Sequence, residues 1–319
     1  MVDTEPLDHL ISDQKDLWAE RLLSTSLAFL RTTRDVGDIC SDRLDKDTIR
    51  VEIKSRDGYR LEFDLRKPII GDFDEDPESQ RLHDALDESE LIVDRFMLYP
   101  NSNIEGENVG ERLRRSGIKL VVRGNYQPPN LDYQALGNKL NNEMNTNDIY
   151  FLINSLVYGE LGSTSSNKVI LMNLLPFNDY GLFTFLHEVG HLEDPEQAEF
   201  EKSLEERGIE EESEEEFYRR TYTELKAEET NASSRALTDF DRIFKLSQGG
   251  ARHLRFVDLI KLSLMIYQAG MERRYEEQFP AFGIPEPFIG LDELEFYRER
   301  LQSITHEAAT VLNFPEENS

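Results

Sequence analysis

One short segment, residues 182–191, constrains the fold of this 319-residue chain more than any other part of the sequence. It reads LFTFLHEVGH, and its packing face is formed by Phe183, Leu186 and Gly190. Apolar residues at this spacing predict a helix that is buried against other elements, with a glycine where a neighbour approaches closely. His187 and His191 share one face of that helix because they are four residues apart.

The spacing of the two histidines is typical of a metal site. Residues i and i+4 of a helix can present two imidazole nitrogens to one Zn²⁺ ion, at about 2.0–2.1 Å. Glu188 follows His187 and is rotated away from the ion, so that it reaches a water on the metal and can act as general base. We therefore predict that His187 and His191 bind zinc and that Glu188 is catalytic. The packing face argues against a surface helix with chance histidines.

A third protein ligand is needed, and a later predicted helix offers three glutamates. No histidine follows at the spacing of extended HExxH motifs, since residues 192–195 read LEDP. Glu224 and Glu228 lie four residues apart on one face, whereas Glu229 is offset from Glu228 by about 100°. Ala227 and other small residues predict close packing of this helix on the first one. On this reasoning Glu224, Glu228 and Glu229 all stay candidates.

Together the two segments resemble the gluzincin metallopeptidases, and in particular the soluble ImmA/IrrE-type proteases. The likeness is carried by HEVGH and by a later Glu-x-x-Ala-acid stretch, here Glu224, Ala227 and Glu228. The resemblance implies a zincin-like core in which Glu224 is the third zinc ligand and Glu228 accepts a histidine N–H. It also implies a regulatory protein as the natural target.

An enzyme of this kind needs a donor that stabilises the oxyanion of the transition state. The candidates are Tyr180, Tyr218, Tyr222, Arg252 and His253. We favour His253 as the second catalytic residue because it opens a long amphipathic helix that we expect to pack near the site.

Composition restricts the partners of the chain. It contains 64 Asp and Glu against 36 Lys and Arg, a formal net charge of −28. Such a surface repels nucleic acid and anionic membranes, and no run of basic residues compensates. The chain has no apolar run of the ~18–20 residues that span a bilayer, and its acidic start is unlike a secretory signal. A lone cysteine, Cys40, excludes an internal disulfide. We therefore predict a cytoplasmic protein with a peptide or protein substrate, without direct binding to nucleic acid or membranes.

Hydrophobic periodicity predicts an α+β fold that is mainly helical. A β-hairpin is expected where residues 49–53 and 61–65 alternate on either side of Asp57-Gly58. Two short strands are expected at 118–122 and 169–172, the second as an edge strand that pairs with substrate. Helices are predicted over most of residues 1–47 and over 80–98, 131–158, 180–192, 217–244, 253–275 and 291–312.

We divide the chain into an N-terminal α/β region (1–125), a zincin-like catalytic core (126–250) and a C-terminal helical region that packs on the core (251–319). The function that follows is a zinc-dependent endopeptidase. The alternative is a regulatory or assembly protein that binds zinc in a zincin fold without turnover.

Overall fold

A computed structural model of the chain describes residues 36–56, 58–68, 90–100, 105–123, 162–164, 168–172, 175–194, 213–278 and 286–312. Within these stretches the protein has a mixed α+β fold, and its helices hold more residues than its strands. The predicted helix over 131–158 lies outside the described residues.

The chain divides into two compact units, Met1–Gln134 with Glu160–Asn178, and Ala135–Gly159 with Asp179–Ser319. The first unit contains the strands and the second the long helices. The three regions proposed from the sequence stay a prediction.

The first unit is built on one mixed sheet. Its strands are β1 (Val36–Arg43), β2 (Thr48–Ser55), β3 (Arg60–Arg66), β4 (Glu90–Tyr99), β5 (Glu107–Asn108), β6 (Lys119–Arg123), β7 (Gly162–Thr164) and β8 (Val169–Met172). Their order in the sheet is β1-β2-β3-β4-β6-β8-β7, with β5 pairing beside β4. Neighbours are antiparallel except β6 and β8, which are parallel.

The predicted hairpin is confirmed as β2 and β3. Val51 lies opposite Phe63, and the apolar residues of both strands are buried while the alternate residues are charged. The ring of Phe63 stacks on that of Phe96 in β4, with 4.5 Å between the centroids. This alternation gives the sheet one apolar face and one ionic face.

The prediction of a helix over 80–98 is wrong for residues 90–98, which form most of β4. This segment is rich in β-branched and aromatic residues, and it pairs with β3 on one side and with β6 on the other. Likewise, residues 36–43 form β1 rather than the end of an N-terminal helix. Residues 1–35 and 80–89 lie outside the described part of the chain.

The predicted strands at 118–122 and 169–172 are present as β6 and β8. However, β8 is not an edge strand, because Ile170 pairs with Leu120 of β6 on one side and with Ser163 of β7 on the other. Both edges of its backbone are therefore used within the sheet. The expectation that it binds substrate as an edge strand was wrong.

A short helix, α1 (Val109–Arg115), packs on β4 in the same unit. Asn108 caps its start by accepting a hydrogen bond from the Glu111 N–H at 2.9 Å. Val109 and Leu113 are its buried residues.

The second unit is helical in its described part, as the sequence predicts. Its helices are α2 (Asp179–Leu192), α3 (Glu214–Phe244), α4 (Ala251–Gln278) and α5 (Leu291–Leu312). The helix α2 packs against α3 and α4, and α4 also packs against α3 and α5. None of the described helices is both long and apolar enough to cross a lipid bilayer.

The ends of α3 explain why a helix of 31 residues begins and stops where it does. Ser213 and Glu216 form a reciprocal capping box at its start. Lys245 ends the helix in a left-handed conformation, with φ of 51°. Between these ends, α3 passes alongside α2 and positions the carboxylates discussed below.

Candidate metal centre

The HExxH segment forms the C-terminal half of α2. His187 and His191 are both buried, with 5% and 7% of their surface exposed. Their Nε2 atoms lie 3.0 Å apart, as expected for side chains one turn apart that point to a common position. The helix is buried over nearly its whole length, which fits the packing face predicted from the sequence.

The third group at this position is Glu229 of α3. Its Oε2 atom lies 3.0 Å from His187 Nε2 and 3.8 Å from His191 Nε2. Donor atoms around a tetrahedral zinc ion are separated by about 3.3 Å, as follows from bonds of about 2.0–2.1 Å. The three atoms therefore have the spacing and the chemistry of a His₂Glu metal site. We call His187, His191 and Glu229 the metal-ligand triad.

A close approach of two backbones makes this triad possible. A Cβ atom added to Gly190 would lie 2.8 Å from the carbonyl oxygen of Ala232 and 3.0 Å from its Cα. Only glycine allows α2 and α3 to come so near, as the glycine in the motif suggests. The small partner on α3 is Ala232, whereas Ala227, the residue expected there, is exposed.

The structure does not bring Glu224, the predicted third ligand, to the two histidines. Its carboxylate instead forms an ion pair with Arg220 one turn earlier on α3, at 3.2 Å. The physical reason is the rotation of α3, because Glu224 lies five residues before Glu229 and therefore about 140° away around the helix axis. With Glu229 facing α2, Glu224 faces elsewhere.

The sequence does contain a pattern that indicates Glu229, although a comparison of the three glutamates with one another does not show it. The buried stripe of α3 repeats every seven residues through Tyr222, Glu229, Ala236 and Ile243. A glutamate in register with apolar residues is expected to face the interior. The periodicity of the whole helix thus indicates Glu229.

Glu228 lies beside the triad, at the side of His191 that faces away from His187. Its Oε1 is 3.4 Å from His191 Nδ1, in an alignment that falls short of a good hydrogen bond. This is the neighbour expected to accept a histidine N–H. The contact places a carboxylate behind one of the two candidate metal ligands.

Burial and charge act in opposite directions on the triad. Burial disfavours the charged form of His191, but the carboxylates of Glu228, Glu229 and Glu188 outweigh it and raise the pKa of His191 to about 10. Burial likewise opposes ionisation of Glu229, but the two histidines lower its pKa to about 2. The site therefore concentrates negative charge that a cation can neutralise.

Glu188, the predicted general base, is buried with 7% of its surface exposed. Its charge helps to raise the pKa of His191 and that of Tyr267, so it lies among the same groups. Among the described residues, the donor atoms that converge belong to His187, His191 and Glu229, and the role of Glu188 as general base stays a prediction.

Tyr267 of α4 is a residue near the triad that the sequence pattern did not assign to the site. Its ring stacks on that of His187, with centroids 6.4 Å apart and planes 28° from parallel. Burial raises the pKa of the Tyr267 hydroxyl far above its usual range, and the charges of Glu229 and Glu188 add to this effect. The residue still leaves 40% of its surface exposed, so it stands at the rim of the site.

His253, the predicted oxyanion donor, is not near the triad. Its Nδ1 contacts the carboxylate of Asp241 at 2.8 and 3.0 Å. Asp241 lies twelve residues beyond Glu229 on α3, which corresponds to about 18 Å along the axis. His253 does open α4, as predicted, but α4 reaches the site fourteen residues later, at Tyr267.

The other predicted donors have different surroundings, and Tyr180 is close enough to Tyr267 for its charge to affect the pKa of that residue. Tyr180 shares a hydrogen bond with Ser263 at 3.3 Å, and Arg252 binds Asp179 at 2.7 and 3.2 Å. Tyr222 is buried against Phe288, and Tyr218 packs on Phe217.

The chain matches no protein-family model, no curated protein and no solved structure.

Proposed function

We propose that the chain is a zinc-dependent endopeptidase with a zincin-like core. The observation that carries the proposal is the buried triad of His187, His191 and Glu229, with donor atoms 3.0 to 3.8 Å apart, next to the buried carboxylate of Glu188. A metal held by these three residues would activate a water molecule and polarise the scissile carbonyl.

Proton transfer is assigned to Glu188. Glu188 takes a proton from the water as it attacks the carbonyl carbon, and it then delivers that proton to the leaving amine. Burial keeps the carboxylate away from bulk solvent, so the proton passes to the substrate.

Tyr267 replaces His253 as the proposed oxyanion donor. Because its pKa lies far above neutrality, its hydroxyl keeps its proton and can donate a hydrogen bond to the carbonyl oxygen as negative charge develops there. Its partial exposure at the rim leaves it accessible to an extended peptide.

The test is peptide hydrolysis by zinc-loaded wild type and Glu188→Gln, with metal content measured in parallel. We expect Glu188→Gln to retain zinc but to lose activity by about 10²–10⁴-fold, because only proton transfer is removed. Glu224→Gln serves as a matched control on the neighbouring helix and should stay active. Equal activity of wild type and Glu188→Gln would instead favour a zinc-binding protein without turnover.

A further inference from the structure

A serine of α3 lies directly behind one of the triad histidines. Ser233 Oγ is 3.2 Å from His187 Nδ1, and Ser233 is buried, with 2% of its surface exposed. Ser233 follows Glu229 by four residues, so both project from the same face of α3. One helix therefore contacts both ring nitrogens of His187, with Glu229 at Nε2 and Ser233 at Nδ1.

The direction of this hydrogen bond follows from the chemistry of imidazole. If Nε2 offers its lone pair to a metal, the proton of the neutral ring must be on Nδ1. A buried N–H needs an acceptor, and the hydroxyl oxygen of Ser233 is at the right distance to accept it. The other neutral tautomer would carry its proton on Nε2, which faces the position where the three ligand atoms of the triad converge.

We infer that Ser233 is a positioning residue that selects the metal-binding tautomer of His187 and holds its ring against the triad. This inference rests on the proposed metal site but not on peptide hydrolysis. The surroundings of His187 Nδ1 differ from those of His191 Nδ1, which faces the carboxylate of Glu228 at 3.4 Å. A neutral hydroxyl polarises a histidine less than a carboxylate does. Removing the hydroxyl should therefore lower zinc affinity less than removing a carboxylate would.

The chain offers a matched control one residue away. Ser234 is exposed, and its hydroxyl donates to the Thr230 carbonyl on the same helix at 2.8 Å. Ser234→Ala therefore removes the same atom from the same helix without touching His187. It reports the general effect of a serine-to-alanine change in α3.

The experiment measures zinc affinity by competition with a chromogenic chelator for wild type, Ser233→Ala and Ser234→Ala. We expect Ser233→Ala to bind zinc about tenfold more weakly, at the lower end of the 10–100-fold range for such outer hydrogen bonds. Ser234→Ala should match wild type. Unchanged affinity in Ser233→Ala would overturn the inference, whereas a wild type that takes up no zinc would overturn the metal site itself.

A second measurement does not depend on whether the variant folds. In zinc-loaded wild type, ¹H–¹⁵N correlation spectra of the imidazoles should show a slowly exchanging Nδ1–H proton on His187, because Ser233 protects it. A His187 ring that lacks this resonance in wild type would contradict the assigned hydrogen bond. In Ser233→Ala the resonance should disappear, while Ser234→Ala should keep it.

Discussion

Two clusters of charged side chains, one on the sheet and one among the helices, use their carboxylates differently. On the ionic face of the sheet, Arg50 binds Asp64 through two hydrogen bonds of 2.7 and 2.9 Å, and Arg95 lies 3.3 Å from Glu62. Among the helices, Glu228 and Glu229 face His191 and His187. The first set pairs with guanidinium groups and the second with imidazoles.

This difference separates a cluster that is already neutralised from one that suits a cation. Arg50 and Asp64 occupy paired positions on β2 and β3, so their charges cancel across the strands at a partly exposed surface. A histidine that binds a metal must give up its charge, which leaves the buried carboxylate of Glu229 to be neutralised by the metal ion. The sheet cluster is complete as it stands, whereas the helical one has the composition of a cation site.

The largest effect on zinc binding should come from removing the triad carboxylate. Glu229→Gln should weaken zinc binding by more than about 100-fold, beyond the range of outer hydrogen bonds, because a metal ligand loses its charge. Glu224→Gln, on the same helix but paired with Arg220, should leave affinity unchanged. Titration with zinc in the presence of a competing chelator measures both. Loss of zinc in Glu224→Gln alone would restore the assignment made from the sequence.

The largest effect on stability should come from a buried carboxylate that is already neutralised. Asp179 at the start of α2 is almost completely buried and binds Arg252 and Arg255 of α4. Asp179→Ala should lower the free energy of unfolding by about 3–5 kcal/mol, since two arginines lose their partner in a partly buried position. Urea unfolding followed by far-UV circular dichroism tests this value. A change below about 1 kcal/mol would mean that burial of this pair has little energetic consequence.

The smallest effect is expected on the sheet. Arg50→Ala should change the free energy of unfolding by no more than about 1 kcal/mol, because Arg50 is partly exposed and water replaces much of the interaction with Asp64. Zinc affinity should not change. The same urea titration and chelator competition apply, and a loss of zinc in Arg50→Ala would contradict the separation between the two clusters.

Local patterns predicted the elements that depend on short-range order. The β2–β3 hairpin and the helices α2 to α5 follow from alternation and from helical periodicity, both of which are properties of neighbouring residues. Residues 90–98 were expected to be helical but form a strand. Their local sequence pattern is compatible with a helix as well as a strand, and pairing with β3 and β6 decides for the strand.

The candidate metal site likewise combines features that follow from the sequence with features that depend on the tertiary structure. Helical spacing alone puts His187 and His191 on one face with Glu188 beside them, since about four residues make one helical turn wherever the helix lies. Which carboxylate completes the triad was decided by the rotation of α3 about its axis, and that rotation depends on the contact of Gly190 with Ala232. The tertiary structure also placed Tyr267 beside His187 and His253 far from it. Eighty residues of chain separate Tyr267 from His187, and only the packing of α4 on α2 and α3 sets the distance between them.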